Sequence, residues 1–102
     1  MIKVVIVLVK YVCKQGCREK FLQEIQDKKI DVLSREEEGN SRYEYSNSIL
    51  DDDTLILTEL WSDEEAVKKH SETLHFKELG EIKAKYVESL EINRYLGTEI
   101  TN

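Results

Sequence analysis

The chain has 102 residues and a formal net charge of −6 at pH 7. This length suits one domain, so we expect residues 1–102 to fold as a single unit. An acidic chain with no lysine- or arginine-rich stripe repels a phosphate backbone, which argues against nucleic acid as a partner. The longest apolar run, from Val4 to Val9, is too short to cross a bilayer, and no signal-peptide pattern accompanies it. We therefore expect a cytoplasmic protein without membrane contacts.

The first half of the chain predicts a strand, a helix and a second strand. Residues Lys3–Cys13 are rich in β-branched side chains and predict the first strand. From Cys17 to Glu37 apolar residues recur with a helical period, and Gly39 marks the end of the helix. Residues Arg42–Leu50 alternate well enough to predict the second strand. The expected buried face of the helix consists of Phe21, Leu22, Ile25, Val32 and Leu33.

The second half begins with a clear strand and helix. Residues Thr54–Trp61 predict the third strand. Ser62 and Glu65 then fit the N-cap and third helical position of a capping box, which predicts a helix start. The helical pattern runs to about Glu88 with a break between Ser71 and Thr73. Its expected apolar face consists of Phe76, Leu79, Ile82 and Tyr86.

A fourth strand over Ser89–Leu96 completes the order β-α-β-β-α-β. This order predicts an α+β, ferredoxin-like fold, in which helices cover one face of a four-stranded antiparallel sheet. Strands one and three are apolar on both faces, unlike strands with one face in water. Each uncovered valine or leucine would lose about 1.5–3 kcal/mol of burial. We therefore expect a homodimer whose two sheets face each other and enclose a small-molecule pocket.

The third strand carries the first candidate site residues. Alternation along the strand places Glu59 and Trp61 on the same face as two leucines. A carboxyl group in a dry pocket has a raised pKa and can act as a base. The alternative is that Glu59 forms a structural salt bridge with Arg42, Arg94 or a lysine. The residues leave both interpretations open.

The two histidines lie in the helical segment that follows. His70 and His75 are five residues apart, so a regular helix would not place them on one face. A break between them would still bring both to one site. No third ligand stands at a convincing spacing, so we expect no metal site. The four glycines are scattered, which excludes a phosphate-cradling loop or a dinucleotide fingerprint.

Several motifs in order resemble the antibiotic biosynthesis monooxygenase domain family. The match spans Glu36 to about Lys85. The resemblance implies a dimeric α+β barrel of the ferredoxin-like type. It also implies cofactor-independent oxygenation of quinols or polyketide anthrones, with no flavin, haem or metal. The motifs are Glu36-Glu37-Glu38-Gly39-Asn40, the run Thr58-Glu59-Leu60-Trp61-Ser62-Asp63-Glu64-Glu65-Ala66, His70, and Leu74-His75-Phe76-Lys77.

The resemblance further implies residue roles. Glu59 and His70 would polarise or deprotonate the substrate, and His75 is the third catalytic candidate. Trp61 would line the pocket, and His75 with Phe76 would close one wall. Asn40 would form a hydrogen bond to the substrate. The substrate-binding candidates are Trp61, Asn40, Phe76 and Tyr43.

Two other groups of proteins with this fold suggest alternative functions for the chain. Haem-degrading members use an Asn near the end of strand one and a His further along the second helix, and this chain has neither. Isomerases of phosphorylated quorum-signal sugars share the Glu-Glu-Gly-Asn stretch and both histidines. Such an activity would need a phosphate-binding cation, for which Arg42, Lys77 or Arg94 could serve. Three hypotheses stay open: an oxygenase, an isomerase or tautomerase, and a non-catalytic dimer that binds a small molecule.

Overall fold

A computed structural model describes residues 2–101, which form one sheet and four helices. The strands follow the order β2-β3-β1-β4 across the sheet, and all neighbours are antiparallel. The predicted α+β, ferredoxin-like fold is confirmed. In chain order the elements are β1 (Ile2–Cys13), α1 (Arg18–Asp27), α2 (Ile30–Arg35), β2 (Asn40–Asn47), β3 (Thr54–Trp61), α3 (Glu64–Ser71), α4 (Leu74–Tyr86) and β4 (Val87–Glu99).

The first predicted helix is in fact two helices, α1 and α2. Lys29 separates them with a φ of 57°, in the left-handed region. This residue resets the helical phase, so α2 buries Ile30 and Ser34. Val32 and Leu33 are each 40% exposed. The prediction that these two belong to the buried face was therefore wrong, because one periodic face cannot continue across a residue that leaves the helical conformation.

The break predicted in the second helical segment is confirmed, and Thr73 defines it. Its hydroxyl donates a hydrogen bond to the carbonyl of His70 at 2.8 Å and accepts one from the backbone N–H of Phe76 at 3.2 Å. One side chain thus ends α3 and begins α4. The histidines consequently lie on different helices, His70 in the last turn of α3 and His75 in the first turn of α4.

The start of α3 differs by one residue from the prediction. Asp63, rather than Ser62, is the N-cap, and its Oδ1 accepts a hydrogen bond from the backbone N–H of Ala66 at 2.8 Å. Ser62 is held by the sheet connection instead, because its N–H donates to the carbonyl of Gly39 at 2.7 Å. The helix therefore begins after this residue rather than at it.

Strand β4 is longer than the predicted Ser89–Leu96 because it pairs with the whole of β1, from Ile2 opposite Glu99 to Cys13 opposite Val87. Strand β2 ends at Asn47 rather than Leu50. Residues Ile49 and Leu50 form an exposed hairpin tip, at 99% and 91% exposure. None of the helices in residues 2–101 is long and apolar enough to cross a membrane.

The core lies on one face of the sheet. Alternate residues of β1 and β3 face it, and the buried apolar side chains of all four helices join the same cluster, including Phe21, Ile25 and Leu79. The opposite face, which we call the outer face, has no helical layer among the described residues. The apolar residues that share the outer face are Val4, Ile6, Leu8, Ile56, Leu60 and Tyr95.

Candidate active site

A cavity of about 200 Å³ lies between the core face of the sheet and helices α3 and α4. This volume is below the ~300–1,000 Å³ of pockets for drug-sized ligands, so it suits a small molecule of one ring. The pocket was expected between the facing sheets of two copies, whereas this cavity lies on the helix-covered core side of one sheet. The outer face is not part of it. The apolar lining consists of Val7, Val9, Val67, Phe76, Leu79 and Ile92.

Polar groups of the cavity come from both the sheet and the helices. The strand register places Tyr43, Glu59, Val7 and Arg94 in one row across the four strands. Helices α3 and α4 supply groups from the other side. The polar lining residues are Tyr11, Tyr43, Glu59, His70, Ser71, Lys83 and Arg94.

Glu59 is buried on β3 and only 7% exposed. Burial raises the pKa of its carboxyl group to about 7, although the hydrogen bond from Trp61 opposes the shift. That bond runs from Nε1 of Trp61 to Oε1 of Glu59 at 2.9 Å. Among residues 2–101, no lysine or arginine forms a salt bridge with Glu59. The carboxyl group can therefore take up or release a proton near neutral pH.

Trp61 is fully buried and does not line the cavity as the family resemblance implies. Its indole lies beside the His70 ring, with centroids 4.8 Å apart. Residues two apart on a strand point to the same side of the sheet, so the indole lies directly beside the Glu59 carboxyl group. Trp61 therefore contacts two candidate catalytic side chains, Glu59 and His70, without lining the cavity itself.

His70 and His75 converge on one oxygen of Glu37. Oε2 of Glu37 lies 2.5 Å from Nδ1 of His70 and 2.7 Å from Nε2 of His75. A carboxylate oxygen only accepts hydrogen bonds, so both nitrogens donate to it. In neutral His70 the proton is then on Nδ1, and Nε2 carries the free lone pair. Burial lowers the pKa of His70, and Glu37 opposes that shift. A neutral imidazole at the cavity can act as a general base.

Sequence reasoning did not assign a role to Glu37, although it recognised the acidic motif that contains it. Nothing in the sequence distinguishes Glu36, Glu37 and Glu38, but in the structure only Glu37 is not exposed. Gly39 allows this loop to approach α3. It has a φ of 90°, and a Cβ at this position would lie 2.7 Å from Cβ of Ala66. This close approach places Glu37 beside the C-terminal end of α3, where it contacts His70.

The donor atoms of Glu37, His70 and His75 lie within 4.8 Å of one another. The structure thus supplies a third potential metal ligand that the sequence spacing did not reveal. Two imidazoles and one carboxylate can hold zinc or iron(II). Ligands of a shared ion at ~2.0–2.2 Å stand about 3 Å or more apart. The observed contacts of 2.5 and 2.7 Å are those of a hydrogen-bonded network.

The remaining predicted binding residues separate into two groups. Tyr43 and Phe76 line the cavity, and the Phe76 ring lies 5.2 Å from the His70 ring. Burial raises the pKa of Tyr43, so its hydroxyl stays protonated. Asn40 lies outside the cavity lining, because its Nδ2 donates to the carbonyls of Arg42 and Leu60 at 3.0 and 3.3 Å. These bonds close the irregular start of the β2–β3 ladder.

Fold and site together define a small α+β domain with a cavity between sheet and helices that carries a carboxyl group and an imidazole. The sequence matches the model of the antibiotic biosynthesis monooxygenase family over residues 4–81. The chain therefore belongs to that family, as its motifs predicted.

Similar proteins agree with this assignment. A Bacillus subtilis protein named "Putative monooxygenase YcnE" is 41% identical over 73 residues, which cover 71% of this chain and 75% of that protein. PA3566 from Pseudomonas aeruginosa superimposes with a TM-score of 0.85 at 19% identity, covering 97% and 98% of the two chains. A Nitrosomonas europaea protein whose name carries the family designation gives a TM-score of 0.86 at 23% identity, covering 97% and 94%. The two structures support the fold, and the family match together with the Bacillus subtilis protein supports a monooxygenase-like role.

Proposed function

We propose that this protein is a cofactor-independent monooxygenase that acts on a small quinol-like or aromatic substrate. One observation carries the proposal: Glu59, whose pKa burial raises to about 7, and His70, whose pKa burial lowers so that the neutral imidazole is favoured, face one small cavity with largely apolar walls. Such a site can bind a flat ring, remove a hydroxyl proton and keep bulk water away from the reacting carbon.

The reaction balances without a further reductant. Hydroquinone plus molecular oxygen gives hydroxybenzoquinone plus water. Nε2 of His70 accepts a hydroxyl proton, and the resulting anion transfers one electron to oxygen. The two radicals then combine as a carbon–oxygen bond, and the peroxide takes back the proton. Loss of the hydrogen on that carbon with cleavage of the O–O bond releases water and leaves a new carbonyl group.

The other polar groups support this chemistry. Near neutral pH a large share of Glu59 is protonated and can donate a hydrogen bond to a substrate oxygen. Glu37 holds His70 in the tautomer that leaves Nε2 free. The protonated hydroxyl of Tyr43 offers a further donor at the same wall. No step needs His75 to contact the substrate, so we assign it to the Glu37 network.

The test is oxygen uptake by purified protein from which metals and flavins have been removed. We expect consumption of oxygen with a simple quinol, above the rate of autoxidation, and a large loss of that rate in His70→Gln. Glu72→Gln, which changes an exposed residue near the end of α3, is the matched control. Undiminished uptake in both His70→Gln and Glu59→Gln would overturn the assignment.

A second candidate function is an isomerase or tautomerase of a small phosphorylated carbonyl compound. Of the three cations considered for phosphate, only Arg94 lines the cavity. Arg42 lies instead 3.4 Å from Glu44. Lys83, which the sequence did not single out, is a second cation there. This function predicts turnover without oxygen, whereas the oxygenase stops under nitrogen.

We also infer that two copies pair through the outer face. Leu8 is 40% and Tyr95 53% exposed on this face, and no helix covers them among the described residues. A contiguous apolar sheet face is a common dimer contact. The cavity lies on the other side of the sheet, so pairing would stabilise the fold without forming the pocket. The cytoplasmic location stays a prediction from the sequence.

A further inference from the structure

Two cations face the cavity from opposite sides. Lys83 comes from α4 and Arg94 from β4, and the rest of the lining is mostly apolar. The whole chain carries a net charge of −6, so positive charge is not a general property of its surface. A local pair of cations in an acidic protein selects for anions by direct attraction.

Neither cation forms a salt bridge with any residue between 2 and 101. Lys85, two residues further along α4, lies 2.8 Å from Glu24. Lys83 is half-buried, and burial lowers its pKa. Burial of an ammonium group without a partner carries a desolvation penalty. An anion bound in the cavity would offset this penalty by pairing with Lys83.

The cations and the proton-exchanging groups are anchored at different backbone positions around the cavity, although the Arg94 guanidinium is close enough to Glu59 to lower the pKa of that carboxyl group. Arg94 pairs with Val7 on β1, and Val7 pairs with Glu59 on β3. Two strand spacings, roughly 10 Å, therefore separate the backbones of Arg94 and Glu59. On the helical side, Phe76 lies between the two regions: its ring is 6.0 Å from Nζ of Lys83 and 5.2 Å from the His70 ring.

We propose that Lys83 and Arg94 form an anion subsite, and that the substrate is a one-ring compound whose carboxylate or phosphate group lies against these two side chains. This proposal rests on the function proposed above, since it orients the reacting edge of the ring toward Glu59 and His70. Arginine and lysine both donate charge-assisted hydrogen bonds to carboxylate and phosphate oxygens. Such bonds correspond to about 10- to 100-fold in affinity.

The test is calorimetric binding under nitrogen, which makes it independent of oxygen chemistry. The probes are gentisate, its neutral amide gentisamide, and phenyl phosphate. We expect at least one acid to bind about tenfold or more tightly than gentisamide. Preference for gentisate would identify carboxylate, and preference for phenyl phosphate would identify phosphate. Equal affinity for all three, or no binding of either acid, would overturn the proposal.

Variants locate the subsite. Lys83→Met and Arg94→Met should each reduce the preference for the acid about tenfold, whereas Lys83→Arg, which keeps the charge, should retain most of it. Lys77→Met and Arg42→Met change cations outside the cavity lining and should leave the preference intact. Survival of the preference in both cavity variants would overturn the subsite. Acid binding without oxygen uptake would leave the subsite standing and reject the oxygenase.

Discussion

Glu37 binds His70 and His75 through the same atom, Oε2, at 2.5 and 2.7 Å. This shared acceptor joins the α2–β2 loop to the adjoining ends of two helices. It fixes the His70 ring by its Nδ1, so that the nitrogen available to a ligand is Nε2. The base of the proposed reaction thus depends on a carboxylate that does not line the cavity.

Glu37→Gln tests this dependence. The Glu37 carboxylate raises the pKa of His70, so the neutral replacement should lower that pKa further. We expect kcat to fall about tenfold or more with little change in KM, and the ascending limb of the pH–rate profile to move to lower pH. The control is Glu38→Gln, the exposed neighbour. An unchanged pH profile in Glu37→Gln would show that the carboxylate is only structural.

Glu59→Gln should stabilise the protein at high pH. The folded-state pKa of about 7 lies above the ordinary glutamate pKa of 4.5. The folded chain therefore binds more protons between these values, and the free energy of unfolding falls as pH rises through that window. Glutamine removes this loss and can still accept the Trp61 hydrogen bond. We expect a gain of up to about 3 kcal/mol at pH 8 and little change at pH 4, measured by urea unfolding. The exposed Glu88→Gln should show no such pH dependence.

Trp61→Phe removes the N–H that donates to Glu59. That bond stabilises the carboxylate, so its loss should raise the pKa of Glu59 above about 7. Carbon-13 NMR titration of the labelled glutamate side chains would measure the shift. Tyr45→Phe, which removes a hydroxyl 3.4 Å from that of Tyr43, is the control that leaves the Glu59 bond in place. A lower pKa in Trp61→Phe would contradict this account.

Leu8→Lys should prevent dimer formation. The side chain lies on the outer face opposite Thr58 and Asn93, and a charge there would be buried between two sheets. We expect light scattering to give the dimer mass for the unmodified protein and the monomer mass for the variant. Ile49→Lys introduces the same charge at the exposed hairpin tip and should leave the mass unchanged. A monomeric unmodified protein at micromolar concentration would reject the interface.

Chelator treatment should leave the reaction rate unchanged. The proposed reaction needs no metal, and in this structure Glu37 forms hydrogen bonds with both histidines. The measurement is oxygen uptake before and after dialysis against a chelator, with metal content followed by mass spectrometry. Loss of activity that one divalent metal restores would instead assign the cluster as a metal site.

The fold could be predicted from the sequence because the spacing of apolar residues changes clearly between strands and helices. The apolar run Thr54–Trp61 predicted the third strand with its observed bounds, and the two-residue repeat of a strand placed Glu59 on the correct core face. It could not reveal the break at Lys29, because a left-handed lysine carries no composition signal. The cavity was harder to predict, since it depends on contacts such as that of Glu37 with His70, which lie 33 residues apart. The position of Lys83 could have been predicted: it follows buried Leu79 by four residues on α4, so the two side chains lie on the same face of the helix.

The Thr73 junction has a consequence for local opening of the chain. Its hydroxyl spans the end of α3 and the start of α4, and the two flanking histidines are fastened to a distant loop. Connections between helices usually fray early and exchange their amide hydrogens quickly. Here separation of the helices would also break the contacts to Glu37. The amides of this short connection should therefore exchange almost as slowly as those of the helices themselves, and faster once Glu37 is replaced.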